Sequence, residues 1–63
     1  MTHEPTLSQY EARAVADYIE EHYSFRIGKT SLWRLTPEKA ADALVRKGLA
    51  IDAQEIRIAA KRI

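Results

Sequence analysis

A basic segment with two adjacent hydroxyl groups lies near the middle of this 63-residue chain. It covers residues 26–35 and reads RIGKTSLWRL. Lysine and arginine side chains bind phosphate oxygens, an arginine can bind guanine through two parallel hydrogen bonds, and hydroxyl groups can donate to phosphates or base edges. The segment therefore favours contact with nucleic acid, with solvated cations beside an apolar core as the alternative. Its polar candidates are Arg26, Lys29, Thr30, Ser31 and Arg34.

The charge of the chain is divided unevenly between its two parts. Residues 1–23 carry one basic and five acidic side chains, whereas residues 24–63 carry nine basic and four acidic ones, within a formal net charge of +1. A domain that turns one side toward a polyanion shows this asymmetry. A dipolar surface that only aids solubility, or a head-to-tail contact between two copies, would show it as well.

The elements that must position these residues begin with an amphipathic helix predicted from Leu7 to Tyr23. Thr6 or Ser8 can cap this helix, because each is followed three residues later by Gln or Glu, the spacing of a capping box. Apolar side chains recur at helical spacing on one broad arc, and most of the acidic side chains fall on the opposite arc. We therefore expect one face on the core and an acidic face in solvent.

A second amphipathic helix is predicted from Thr36 to Lys47. Thr36 suits the N-cap, Pro37 suits the first helical position, and Gly48 can adopt the left-handed conformation that ends a helix. Leu49 can then fold back onto the helix. The predicted core face consists of Ala40, Ala41, Leu44 and Val45.

Two segments allow either a helix or a hairpin. Residues 24–35 can form a turn and a short helix, or two short strands around Gly28. Residues 49–63 can form a helix capped by Asp52, or a small hairpin whose turn lacks the Gly or Asn that tight hairpins prefer. We favour the helix in both segments.

The run from His22 to Arg34 resembles the helix-turn-helix of many bacterial regulators. In such motifs an apolar residue ends the first helix, another fills the turn, a small polar cluster opens the second helix, and a hydrophobic–aromatic–arginine triplet follows. The run departs from this pattern at Arg26, where a turn glycine is usual, and at Thr36-Pro37, which shorten the second helix. The matching positions are Phe25, Ile27, Thr30-Ser31 and Leu32-Trp33-Arg34.

The resemblance implies that the second helix of the motif enters the major groove of double-stranded DNA. Lys29, Arg34 and Lys39 would then bind phosphates, and Thr30, Ser31 and Arg34 would reach base edges. A related arrangement resembles winged-helix domains and makes Thr36–Lys47 the recognition helix. Its DNA-facing residues would be Lys39, Asp42 and Arg46, with Arg57 on the wing.

The resulting prediction is a single mainly α domain at residues 1–63, a compact helix-turn-helix domain of three to four helices. The alternative is an α+β winged helix with a small C-terminal hairpin. Residues 1–5 are expected to be a disordered tail. Because one such domain binds DNA weakly, we expect a homodimer on two half-sites. Spare apolar surface for that dimer could come from Tyr10, Tyr18, Ile56 and Ile63.

The expected function is DNA binding through the basic residues 24–63. The protein would act in the cytoplasm as a small transcriptional regulator or as an accessory factor of a phage or mobile element. The alternative is a protein–protein interaction module that inhibits or adapts a larger partner, such as a host protein. Such a module would dock its charged face or Trp33, a side chain that we otherwise expect in the core.

Other classes of function find little support in the residues. The chain has no cysteine, His3 and His22 lack metal-ligand spacing, and His22 is expected at the edge of the core. No nucleophile signature surrounds a serine, and no apolar run approaches the ~20 residues of a membrane span. We therefore expect no enzyme activity, catalytic residue, metal, cofactor or membrane contact.

Overall fold

The fold consists of three packed α-helices. The structure, a computed structural model, describes residues 5–62, so the expected tail at residues 1–5 lies, except for Pro5, outside the described residues. The helices are α1 (Gln9–Tyr23), α2 (Pro37–Arg46) and α3 (Ala53–Ala60), and a single 3₁₀ turn, Lys29–Ser31, lies between α1 and α2. No strand occurs between residues 5 and 62. The prediction of a compact, mainly α domain is confirmed, whereas the winged-helix alternative and both hairpins are wrong.

The start of α1 is a capping box formed by Ser8 and Glu11. The backbone N–H of Glu11 donates to Ser8 Oγ at 3.2 Å, and the backbone N–H of Ser8 donates to Glu11 Oε1 at 2.8 Å. Two of the N–H groups that a helix start leaves unpaired are thereby satisfied. Of the two predicted caps, Ser8 rather than Thr6 therefore begins the helix.

The other two helices begin at the side chains that their sequences predict. Thr36 Oγ1 accepts from the backbone N–H of Lys39 at 3.2 Å, with Pro37 in the first turn of α2. Asp52 Oδ1 accepts from the backbone N–H of Glu55 at 2.8 Å at the start of α3. Each cap of this type stabilises a helix by about 1 kcal/mol.

Gly48 ends α2 as predicted. Its φ of +95° is left-handed, and its N–H donates to the carbonyl of Val45 at 3.0 Å. The N–H of Leu49 donates to the carbonyl of Leu44 at 3.0 Å, which completes the two-bond pattern of a Schellman motif. The chain therefore turns back toward the core directly after α2.

Helix α3 lies at the centre of the domain and packs against both α1 and α2. Ile56 on α3 is fully buried, so its predicted availability for a dimer interface is wrong, and Ile63, predicted for the same interface, lies outside the described residues. On α2, Val45 was expected in the core but is 55% exposed. The largest fully buried side chains are Val15, Ile19, Leu32, Leu44 and Ile56.

Leu7 ties the start of the domain to the segment that precedes α2. Its backbone N–H donates to the carbonyl of Leu35 at 2.8 Å, and its carbonyl accepts from the N–H of Arg34 at 3.1 Å. The Leu7 side chain is itself buried. These contacts hold residues 29–35 beside the N-terminal turn of α1, which the structure also shows in contact with the 3₁₀ turn.

Candidate nucleic-acid interface

The basic segment leaves α1 at Ser24, which has a left-handed φ of 53°. From there Phe25 and Ile27 are half-buried against the core, while Arg26 and Gly28 are exposed. The second helix that the helix-turn-helix resemblance implies at residues 29–35 does not form: the structure has one 3₁₀ turn of three residues there, followed by a turn at residues 32–35. Leu32 follows the 3₁₀ turn and is fully buried, so it anchors an otherwise exposed polar segment.

Arg34 occupies a turn position that normally favours glycine or asparagine. The N–H of Leu35 donates to the carbonyl of Leu32 at 3.2 Å, which closes a turn with Arg34 as its third residue. Arg34 has a φ of +71°, the left-handed region. Its exposed guanidinium lies 4.5 Å from the centre of the Trp33 ring. Trp33 is only partly buried, so this ring is not wholly a core residue.

The 3₁₀ turn and the first turns of α1 form a continuous surface. One hollow, of about 90 Å³, is lined by Gln9, Lys29, Thr30 and Trp33. A second hollow, of about 260 Å³, shares Gln9 and Lys29 with the first. We call the two hollows together with the adjoining Arg34 the Tyr10–Trp33 surface, and its residues are Gln9, Tyr10, Arg13, Lys29, Thr30, Trp33 and Arg34.

The Tyr10–Trp33 surface is positively charged and carries exposed aromatic area. Arg13, Lys29 and Arg34 supply three cations, and no carboxylate lines either hollow among the described residues. These three cations form no ion pair with any residue that the structure describes. Tyr10 is 76% exposed. The surface can therefore offer cationic donors, a Thr30 hydroxyl, an amide and aromatic ring faces to one ligand.

Other predicted DNA-binding residues lie elsewhere. Arg26 Nε is 3.3 Å from Glu20 Oε2 in a solvent-exposed ion pair, and Arg26 lines a separate hollow with Ile27 and Gly28. Ser31 is exposed on the 3₁₀ turn but lines neither hollow of the Tyr10–Trp33 surface.

The remaining two predicted residues are on the outer face of α2. Lys39 and Arg46 are both exposed, and their spacing of seven residues places them on one side of the helix, about 10 Å apart along its axis. Asp42 lies between them on the same side and reduces the local positive charge. Lys29 and Thr30 therefore line the same hollow, and Arg34 lies next to it through its contact with Trp33. Lys39 and Arg46 lie apart from these residues on α2.

Sequence reasoning missed Tyr10, Arg13 and Gln9 as members of this surface. One signal was present: Arg13 is the sole basic residue of residues 1–23, and it lies three residues after Tyr10. That spacing puts both side chains on one face of a helix. Their closeness to Lys29, however, depends on how the chain folds back.

A second polar cluster joins α1 to α3. Glu55 Oε2 accepts hydrogen bonds from the hydroxyls of Tyr18 at 2.6 Å and Tyr23 at 2.7 Å. The hydrogen bond to Glu55, followed by burial, raises the pKa of Tyr23 to about 12 and also raises the pKa of Tyr18. Because both hydroxyls already have a partner, we assign the cluster a structural role.

Tyr18 is also covered by neighbouring side chains. The exposed His22 ring stacks on it at 4.2 Å between centres, so His22 lies outside the core edge where it was expected. The Arg62 guanidinium lies 5.3 Å from the centre of the Tyr18 ring, and Arg62 Nη2 is 3.7 Å from Glu21 Oε1. Tyr18 therefore presents little free apolar surface to a second copy.

Residues 5–62 contain no group of three His, Cys, Asp or Glu side chains placed to hold a metal ion. Over the same range no helix has the length and apolar character needed to cross a bilayer. A comparison with known protein families, characterised proteins and solved structures finds no match to this chain.

Proposed function

We propose that this protein binds DNA through the Tyr10–Trp33 surface. The main support is that three cations, Arg13, Lys29 and Arg34, share one surface. No carboxylate among the described residues lines either hollow of this surface. Phosphate contacts supply most of the affinity of non-specific DNA binding, and hydroxyl and aromatic groups beside them add contacts to sugars and bases. Asp17 and Glu20 follow Arg13 by four and seven residues, so they lie on the same side of α1 but one and two turns beyond the hollows.

The conformation of Arg34 supports this role. A left-handed residue other than glycine costs roughly 1–2 kcal/mol, and the turn at residues 32–35 would accept glycine without that cost. Residues held in such conformations cluster at ligand-binding and active sites. The strain here is accompanied by a guanidinium held over Trp33, where it can reach a phosphate or a base.

The mode of contact differs from that of a long recognition helix. Three residues of 3₁₀ helix extend only about 6 Å, a single turn, so this segment has no length of helix to lie in the major groove. The 10-residue helix α2, with Lys39 and Arg46, is long enough to enter the groove, but Asp42 lies between its cations. We therefore assign phosphate contact to Lys29, Arg34 and Arg13 first and to α2 second.

Two copies acting together would give this small surface useful affinity. Three cations support only weak binding at moderate salt, and a dimer that engages two half-sites combines two such contacts. In this role the protein would serve as a small cytoplasmic regulator of transcription or as an accessory factor of a phage or mobile element. Light scattering with and without DNA tests the dimer.

The deciding experiment is a salt series with a random-sequence DNA duplex, followed by fluorescence anisotropy. With three cations on phosphates, the logarithm of the binding constant should fall with the logarithm of salt concentration at a slope near −3. Undetectable binding of both this duplex and its separated single strands at ~50 mM salt would sink the proposal.

Arg34→Ala and Arg46→Ala form a matched pair of variants for that experiment. Both side chains are exposed arginines, one on the Tyr10–Trp33 surface and the other on α2. We expect Arg34→Ala to weaken binding and to make the salt slope about one unit shallower, with little effect from Arg46→Ala. If only Arg46→Ala lost binding, the DNA interface would be on α2 instead.

A protein–protein interaction module is the second candidate function, and the surface beside α2 favours it. Val45 is 55% exposed and lines a hollow with Ala41 and Ile51. The rim of this hollow is acidic and contains Glu38, Asp42 and Asp52. An apolar floor with carboxylates around it suits a partner that combines apolar and basic side chains and disfavours DNA.

Val45→Arg tests this second candidate. The change places a long cation over the apolar floor but leaves the Tyr10–Trp33 surface intact. A partner of the α2 hollow should bind the purified wild-type chain in calorimetry and lose most of that affinity with the variant. Equal binding of both proteins would exclude the hollow as the docking site.

A further inference from the structure

We propose that the Tyr10–Trp33 surface holds an unpaired base, so that the protein prefers single-stranded or locally opened DNA to a continuous duplex. The inference rests on the proposed function, because the same cations would hold the phosphates. The aromatic rings would add stacking on a base to that function.

Two aromatic rings are at least partly exposed on one cationic surface. Tyr10 is 76% exposed and Trp33 is partly exposed, and they line adjoining hollows that share Lys29. In a duplex, bases stack on each other and offer only their edges to a protein. An unpaired base offers its ring faces, which stack on exposed aromatic side chains whatever the sequence.

Uncharged polar side chains line the hollows beside the two rings. Gln9 lines both hollows, and its amide carries donors and an acceptor that match the edge of a base. Thr30 lines the hollow beside Trp33 and adds a hydroxyl. Polar groups that can pair in more than one way suit bases of varied identity, as a binder of single strands needs.

Three cations lie around the two rings. Lys29 lies where the two hollows meet, Arg13 lines the hollow of Tyr10, and Arg34 stacks on Trp33. The backbone of a single strand that passes over both rings would therefore meet a cation at each step. The planar guanidinium of Arg34 can also stack on a base, because arginine stacks on aromatic faces as well as binding phosphate.

The protein has no well-formed element for reading the base edges of a duplex. The 3₁₀ turn of residues 29–31 is short, and the cations of α2 are separated by Asp42. A flexible single strand can follow the contour of a small surface, whereas a stiff duplex touches it over only a few phosphates.

The test compares a short single-stranded oligonucleotide with the duplex of the same sequence at matched salt. Trp33 is the sole tryptophan of the chain, so its fluorescence reports directly on stacking at this surface. We expect the single strand to quench Trp33 and to bind at least severalfold more tightly than the duplex.

Tyr10→Ala, Tyr10→Phe and Val45→Ala separate stacking from charge. Tyr10 is exposed and forms no hydrogen bond with a described side chain, so its removal should leave the fold unchanged. Tyr10→Ala should weaken single-strand binding by roughly fivefold to a hundredfold, the effect of losing one stacked base, and should weaken duplex binding by a clearly smaller factor. Tyr10→Phe keeps the ring and should bind normally. Val45→Ala removes exposed apolar surface from α2 and should also bind normally.

The other outcomes are distinguishable. Equal affinity for single strand and duplex, with no effect of Tyr10→Ala, would overturn this inference and leave the proposed DNA binding intact. Binding of neither ligand would overturn both proposals. Quenching by a free mononucleotide as strong as that by the oligonucleotide would assign the surface to free nucleotides and overturn the single-strand proposal.

Discussion

Two regions of the molecule place aromatic rings beside charged groups and use them differently. Between α1 and α3, the hydroxyls of Tyr18 and Tyr23 both donate to the carboxylate of Glu55. On the Tyr10–Trp33 surface, Tyr10 is exposed and Trp33 partly so, and the cations have no carboxylate partner among the described residues. Polar groups paired within the fold contribute to stability, whereas groups without an internal partner remain available to a ligand. Substitutions in the first region should therefore change stability, and those in the second should change binding.

Ile56→Ala should give the largest effect, because this fully buried side chain lies on the central helix α3. Truncation of a buried isoleucine costs about 2–5 kcal/mol through lost burial and the cavity left behind. Chemical denaturation followed by circular dichroism measures the loss. Ile58→Ala is the control, because Ile58 is 58% exposed on the same helix and its loss should matter little. Comparable losses for both variants would contradict the packing of α3.

Glu55→Ala should give the next largest effect. The change removes the acceptor of two tyrosine hydroxyls, and hydrogen bonds to a charged group contribute about 1.5–3 kcal/mol when well buried. Because this cluster is only partly buried, we expect a loss of about 1–2 kcal/mol in the free energy of unfolding. DNA affinity at low salt should stay the same. A variant that keeps its stability but changes DNA affinity would break the division between the two regions.

High pH should weaken the Glu55 cluster. The pKa of Tyr23 is raised from 10.0 to about 12, chiefly because its hydroxyl donates to Glu55. The folded protein therefore holds this proton more tightly than the unfolded chain, and the stabilisation is complete below about pH 10 and lost as the pH rises through about 12. Denaturation midpoints across this range should fall. The fall should be smaller in Tyr23→Phe, and an equal fall in both proteins would assign the effect to other groups.

Arg34→Gly should give the smallest change in stability and a clear change in binding. Glycine relieves the strain of the left-handed conformation but also raises the conformational entropy of the unfolded chain. The free energy of unfolding should therefore stay the same or rise by up to ~1 kcal/mol. DNA affinity should fall severalfold because one cation is lost.

Gly48→Ala offers the opposite comparison, because it introduces strain at a φ of +95° and should destabilise α2 without altering DNA binding. A large stability loss in Arg34→Gly would contradict the turn geometry.

Much of the fold could be predicted because its signals act over a few residues. The caps at Thr36 and Asp52 and the glycine after α2 depend on contacts within about one helical turn. The choice between helix and strand at residues 24–35 could not be settled in the same way. That segment owes its conformation to buried Leu32 and to backbone bonds with Leu7, which lies far away in the sequence.

The candidate site was predictable only in part. The basic, hydroxyl-bearing segment was visible in the sequence, and the structure keeps Lys29 and Thr30 together on one surface. The same reasoning grouped Arg26 and Arg46 with them, but one lines a separate hollow and the other lies on α2. Residue type and local spacing indicate which side chains can bind DNA, but they do not decide which of them face the same way.

The sequence by itself determined the charge division, the two amphipathic helices α1 and α2 and both ends of α2, because capping and amphipathic patterning are local. Only the tertiary structure decided that Tyr10 and Arg13 of α1 lie beside Lys29, and that Glu55 reaches back to Tyr18. These contacts join residues 16 or more positions apart, and they exist because α1 packs against α3 and the 3₁₀ turn in one arrangement.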